Sequence, residues 1–195
     1  MSVFPSLPSR ANLVDLFKAH PRGAAPLMAL HDALLRGDTE LTQGQGELIA
    51  SYVSALNTCS YCFGAHKVLA QAFGIDPDLI DAVIRDPATA DISDLMKALL
   101  SYAAKVTEKA SILPSDTRAI LEAGGTETMI HETLMITCLY NFMNRLVDGA
   151  GLSPAKSYGA PSEDELTQKR QNTYQGWGKI EGFLTYNVNE VFPKC

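Results

Sequence analysis

Apolar residues recur every three or four positions through most of the first 150 residues of this chain, and alternating β-branched runs are few. That spacing lines one side of an α-helix, whereas a half-buried strand requires strict alternation. The expected fold class is therefore all-α, with almost no sheet.

Punctuation divides the periodic pattern into segments. Ser9 is placed to cap a first helix ending before Pro21, and a second, carrying Leu27, Leu30, Leu34 and Leu35, stops near Gly37. Both read as amphipathic. Thr42 and Gln45 have capping-box spacing and open a third helix running to Leu56, although Gly44 and Gly46 weaken its first turn. A break at Asn57-Thr58 puts Cys59 at the start of a fourth helix, which carries Cys62, His66, Leu69 and Phe73 and ends at Gly74. Asp76-Pro77 begins a short helix to Arg85, and further helices are expected over residues 93–109, 115–123 and 126–147. Residues 1–151 read as one helical domain. Residues 152–195 differ in character: they are rich in Gly and Pro and hold the single tryptophan, Trp177. Ser162 and Glu165 suggest one short capped helix there. Too small to fold alone, this extension should pack on the core or on a neighbouring subunit through Phe183, Tyr186, Val191 and Phe192.

At 195 residues, 46% hydrophobic and 19% charged, the chain can bury a core without disulfides or metals, which leaves its cysteines free for chemistry. A formal net charge of −6 opposes binding to phosphate backbones, so no nucleic-acid partner is expected. Nor is a membrane: no run approaches the roughly 18 apolar residues of a spanning helix. Even residues 134–143 are interrupted by Thr137 and Asn141. Residues 1–10 show no basic segment leading into an apolar run, so a reducing, cytoplasmic setting is expected. In such a setting a close cysteine pair points to redox chemistry or metal binding rather than a permanent staple.

Cys59-Ser60-Tyr61-Cys62-Phe63-Gly64-Ala65-His66 places two thiols and an imidazole on one helical face. The free N–H groups of a first helical turn favour a thiolate over the thiol. His66, four residues beyond Cys62, is spaced to take or share that sulfur's proton. Cys62 is thus the candidate attacking thiol. Cys59, one turn away, is the candidate resolving thiol, able to condense with a sulfenic acid on Cys62 before further oxidation.

Glu47, eleven intervening residues, then Cys59-Ser60-Tyr61-Cys62 and His66 resemble the active-site signature of the alkylhydroperoxidase D-like, or carboxymuconolactone decarboxylase-like, family. Residues 47–57, 103–107 and Asn144-Arg145-Leu146-Val147-Asp148-Gly149 extend the resemblance to the family's peroxidase-related branch, over about residues 20–151. The resemblance implies an all-helical homo-oligomer with the cysteine-bearing helix in a mostly buried pocket. It also implies that Glu47 and His66 relay protons to Cys62, and that a dithiol or partner protein reduces the Cys59–Cys62 disulfide, with no metal or flavin required. Peroxide reduction by a thiol peroxidase, with hydrogen peroxide or an alkyl hydroperoxide as substrate, is the expected reaction. One position departs from the pattern: the founding hydroperoxidase has a histidine where this chain has Tyr61, which either packs or orients a ligand.

Other readings stand beside this one. The cysteines are alternatively inert buried thiols, or zinc ligands completed by His66 and Glu47. The chain is alternatively a protein disulfide reductase or redox sensor, a lactone decarboxylase of the other named branch, or a non-enzymatic assembly protein. Asn144, Arg145 and Asp148 read as a helix cap or subunit contact before an entrance lining. Cys138 is expected in the core and Cys195 is terminal, while His20, His31 and His131 sit in no recognisable motif.

Overall fold

The computed structural model describes residues 2–154 and 159–184, and among these every regular element is a helix. In chain order they are α1 (Leu13–Ala19), α2 (Ala24–Leu35), α3 (Gln43–Leu56), α4 (Ser60–Ala72), α5 (Pro77–Arg85), α6 (Asp94–Thr107), α7 (Pro114–Glu122), α8 (Glu127–Gly149), α9 (Glu163–Gln171) and α10 (Tyr174–Ile180). The capping chemistry works largely as the sequence indicates. Thr42 and Gln45 close a reciprocal box on α3, and Asp76, Ser93, Thr126 and Ser162 cap α5, α6, α8 and α9. The first helix differs. Asn12, not Ser9, caps α1, because its side chain accepts from Val14 and Asp15 while Asp15 reaches back to the Asn12 N–H.

α3 is the centre of the molecule. Its residues from Glu47 to Ser54 are all buried, and α2, α4, α5, α6 and α8 pack around it. A helix enclosed on every side has no polar face to spare, so each buried polar group on it needs an internal partner. Ser54 finds two: its hydroxyl donates to the Ala50 carbonyl at 2.8 Å and accepts from the Asn144 amide at 3.0 Å. Gly44 and Gly46, costly for helix propensity, are where neighbours come close. A Cβ at Gly44 would lie 2.9 Å from the Phe73 carbonyl oxygen, and one at Gly46 would lie 3.0 Å from a Leu35 methyl.

Two burial expectations fail. α2 hides Ala24, Ala25, Met28, His31 and Leu35, leaving Leu30 exposed, so its inward stripe includes a histidine rather than Leu30. On α8 the buried stripe runs through Ile136, Tyr140, Met143 and Val147, which turns Cys138 to the surface instead of the core. An apolar run longer than one helical turn cannot face inward at every position.

The segment after the core packs back onto it. α9 lies against α4 and α10 against α2, and α10 is a second helix where one was expected. Asp32 accepts from the Tyr174 N–H at 2.5 Å and the Gln175 N–H at 3.0 Å, fastening the start of α10 to α2. Phe183 is buried against Phe17 and Trp177. The other expected anchors, Tyr186, Val191 and Phe192, lie outside the described residues, as does Cys195. No helix among the described residues is long and apolar enough to cross a membrane.

Candidate active site

α3 and α4 are joined by a three-residue turn in which Thr58 takes a left-handed conformation, φ 56°, and the Cys59 N–H donates to the Ser54 carbonyl. So short a connection folds the two helices back along each other. The two helices then run side by side, and Glu47 of α3 comes against His66 of α4. The Glu47 Oε2 accepts from His66 Nδ1 at 2.7 Å. This is the physical content of the spacing between the acid and the Cys-X-X-Cys segment.

Glu47 has no solvent exposure. Burial by itself would raise its carboxyl, yet the His66 ring and the Arg36 guanidinium overcome that cost and hold it below the ordinary carboxylate range. The two oxygens are used differently. Oε2 faces His66, while Oε1 meets Arg36 Nη2 at 2.7 Å and accepts from the Tyr174 hydroxyl at 2.9 Å. Arg36 is in turn sandwiched between the rings of Phe73 and Tyr174, 4.4 and 4.9 Å from their centroids. Tyr140 stands edge-on to His66 with its hydroxyl 3.4 Å from Nδ1. Because the carboxylate is ionised, Nδ1 is the donor in this contact, and Nε2 is the ring nitrogen not engaged by Glu47.

The thiols are both free and both buried. Cys59 is the N-cap residue of α4 and Cys62 lies in its first turn. They are in contact, and that contact moves them in opposite directions. Cys59 is lowered chiefly by the Cys62 S–H, and Cys62 is raised by the same contact and then by burial. The contact thus favours the anion on Cys59 and the thiol on Cys62. The Asn144 amide eases ionisation of Cys62, whereas Asp148 opposes it at both sulfurs.

This differs from a direct imidazole–thiol contact. Among the described residues no hydrogen bond joins His66 to either sulfur, since Nδ1 is committed to Glu47. His66 and Cys62 instead share the wall of one cavity of about 570 Å³, in which a water or substrate atom can stand between them. Cys59 does not line that cavity. Nor do Cys59, Cys62, His66 and Glu47 converge as metal ligands: among the described residues no group of three or more such side chains does so.

The carboxymuconolactone decarboxylase family model matches residues 21–105, a span that includes all four of these residues. An uncharacterized peroxidase-related protein from Silicibacter sp. TM1040 is 25% identical over 75% of this chain and 78% of its own, with a TM-score of 0.68. An alkylhydroperoxidase AhpD core protein from Ralstonia eutropha JMP134, also peroxidase-related, is 27% identical over 80% and 79% at the same score. The family model and these two structures together support assigning the chain to the alkylhydroperoxidase D-like, carboxymuconolactone decarboxylase-like family. A protein from Agrobacterium tumefaciens, 20% identical over 76% of this chain and all of its own, shares the fold at a TM-score of 0.66. No curated protein matches the chain. The all-α fold is shared with these structures, and in this chain Cys59 and Cys62 stand at the start of α4.

The structure brings Glu47 against His66 and Cys59 against Cys62, and beside Glu47 and His66 it sets Arg36, Tyr140 and Tyr174, which sequence reasoning did not single out. Arg36 follows the last residue of α2, Tyr140 lies within an apolar run and Tyr174 belongs to the extension; none sits in a motif. Their only signal would have been the need of a buried carboxylate for cationic and hydroxyl partners. Tyr61 packs and bonds at once: its hydroxyl accepts from the Leu13 N–H at 3.1 Å while its ring lines the cavity. Asn144 is buried and bonds Ser54 and Asn57, while Arg145 donates to the Asn141 carbonyl near the end of α8.

Proposed function

We propose that this protein is a thiol peroxidase acting through Cys62 and Cys59, with Glu47 and His66 as the proton relay. The observation that carries the reading is a single wall: Cys62 and His66 face one cavity, Glu47 stands behind His66 at 2.7 Å, and Cys59 touches Cys62 from outside that cavity.

Cys62 is the sulfur a substrate reaches, so its proton must leave before attack. His66 Nε2 accepts it through a water in the cavity, and the ionised Glu47 stabilises the resulting imidazolium. The Cys62 thiolate then attacks the terminal oxygen of the peroxide. The O–O bond breaks, a sulfenic acid forms on Cys62, and the departing alkoxide or hydroxide takes the proton back from His66. Cys59, the thiol whose anion is favoured, attacks the sulfenic sulfur. An S–S bond forms as the S–O bond breaks, and the hydroxide leaves as water after taking up the proton that the Cys59 thiol released. A cellular dithiol or partner protein supplies two electrons to restore both thiols.

The test is reductant-coupled peroxide consumption. Cys62→Ser is expected to abolish it. Cys59→Ser is expected to leave a sulfenic acid on Cys62 that dimedone traps in stoichiometric yield. Unchanged turnover in both variants defeats the mechanism, and a mixed disulfide with another protein in place of peroxide turnover would assign the pair to disulfide reduction.

A further inference from the structure

The relay described above draws on α3 and α4, yet the oxygen of Glu47 that does not face His66 is held from elsewhere. Tyr174 is a residue of α10, more than one hundred residues along the chain, and its hydroxyl donates to Glu47 Oε1 at 2.9 Å. Arg36 reaches the same oxygen at 2.7 Å. Tyr174 is buried enough to stack on both the Arg36 guanidinium and the His31 ring, 4.8 Å between ring centroids in the second case. Its backbone is fastened by Asp32, which sits on the same helix as His31. The ring therefore has a fixed place, and its hydroxyl has a fixed acceptor.

We propose that Tyr174 is a positioning residue of the relay, and that the segment carrying α9 and α10 completes the active site rather than merely covering it. The proposal rests on the relay reading of Glu47 and His66. The geometry gives the physical reason. A carboxylate with one free oxygen can rotate about its last bond and offer either oxygen to His66. Two donors on Oε1 prevent that rotation, so Oε2 is presented to Nδ1 and the Nε2 lone pair is kept toward the cavity. The same helix supplies Thr173, Tyr174 and Trp177 to the cavity wall, and α9 supplies Gln168, so what fixes the proton relay also shapes the space in front of Cys62.

Removing a hydrogen-bond donor from an anion favours its protonated form. The groups facing Glu47 are His31 and Arg36 from the second helix and its end, His66 from α4, Tyr140 from α8 and Tyr174 from α10. In Tyr174→Phe all but the last keep their charge and place. Proton uptake by the coupled Glu47–His66 pair should then move to higher pH.

The experiment follows the ¹⁵N shifts of the His66 ring in the reduced full-length protein as pH is lowered, alongside iodoacetamide alkylation of Cys62 read by peptide mass spectrometry. Tyr174→Phe is expected to raise the midpoint of the His66 transition by about one pH unit. It should also slow Cys62 alkylation at neutral pH by up to about ten-fold, since a base that already holds a proton cannot take another. An unchanged midpoint and an unchanged alkylation rate in a folded Tyr174→Phe protein overturn the proposal. If that variant does not fold, Asp32→Ala, which releases the start of α10 and leaves the hydroxyl in the chain, must move both readouts in the same direction, and no movement overturns the proposal equally. Glu47→Gln separates this failure from that of the relay itself: if wild-type and Glu47→Gln proteins alkylate Cys62 at the same rate, the relay reading falls first.

Discussion

Glu47 places a negative charge in the middle of a helix with no solvent on any side. Burying a carboxylate costs several kcal/mol unless its partners restore what water supplied. Arg36, His66 and Tyr174 do so with three hydrogen bonds of 2.7 to 2.9 Å. The neighbouring His31 solves the same problem by staying neutral. Burial lowers it from 6.5 to about 4, with the Leu27 carbonyl accepting from Nδ1 at 2.8 Å. Between those two values the unfolded chain binds a proton that the folded chain refuses. Stability from this group is therefore complete above pH 6.5 and falls as pH drops toward about 4. The loss is about 1.4 kcal/mol per pH unit, or about 2 kcal/mol by about pH 5. Glu47 adds its own loss only below 4.5, because its folded form is depressed from that value. Urea midpoints at pH 7 and about pH 5 should show this slope in the wild type and a flatter one in His31→Gln; equal slopes would refute it. Glu47 was legible from its spacing to Cys59 and His66. His31 was not, since a histidine without a motif carries no sign of the ring stack that encloses it.

Among the elements, α3 shows how a local weakness and a packing requirement can be the same residue. Alanine at Gly44 would improve helix propensity by about 1 kcal/mol. It would also push a Cβ to 2.9 Å from the Phe73 carbonyl and 3.2 Å from Ile75, where the end of α4 passes over the start of α3. Backbone cannot yield as a flexible side chain can. Gly44→Ala is therefore expected to destabilise the protein by about 1–2 kcal/mol net, measured by thermal or urea unfolding; a gain in stability would show that the two helices separate without cost. Most helix ends were legible because a cap is a contact between residues two or three apart. Asn12 displaced Ser9 because the Asp15 side chain completes a reciprocal box only with Asn12. Cys138 was misplaced because an apolar run does not say which of its faces is covered.

For the whole molecule, the segment carrying α9 and α10 packs onto the core and supplies part of the wall of the cavity at Cys62 and His66. Phe183 is 3% exposed and lies between Phe17 of the core and Trp177 of α10. Phe183→Ala should weaken docking of this segment by about 3–5 kcal/mol. Trp177 is the single tryptophan, so its fluorescence should shift to the red while the far-ultraviolet signal of the core helices persists. An unshifted emission would mean that the segment is held without Phe183, by its contacts through Asp32, Tyr174 and Arg170, the last donating to the Ala72 carbonyl at 3.2 Å. The sequence by itself determined the helices and most of their caps, and it singled out the four candidate residues Glu47, Cys59, Cys62 and His66, because each depends on spacing along one helix or across one short turn. Only the tertiary structure decided that Arg36, Tyr140 and Tyr174 gather around Glu47 and His66, that Cys59 and Cys62 lie in contact, and that Cys62 rather than Cys59 meets the cavity. Those facts depend on contacts between segments tens of residues apart, and a buried charge announces that it needs partners without saying where in the chain they are.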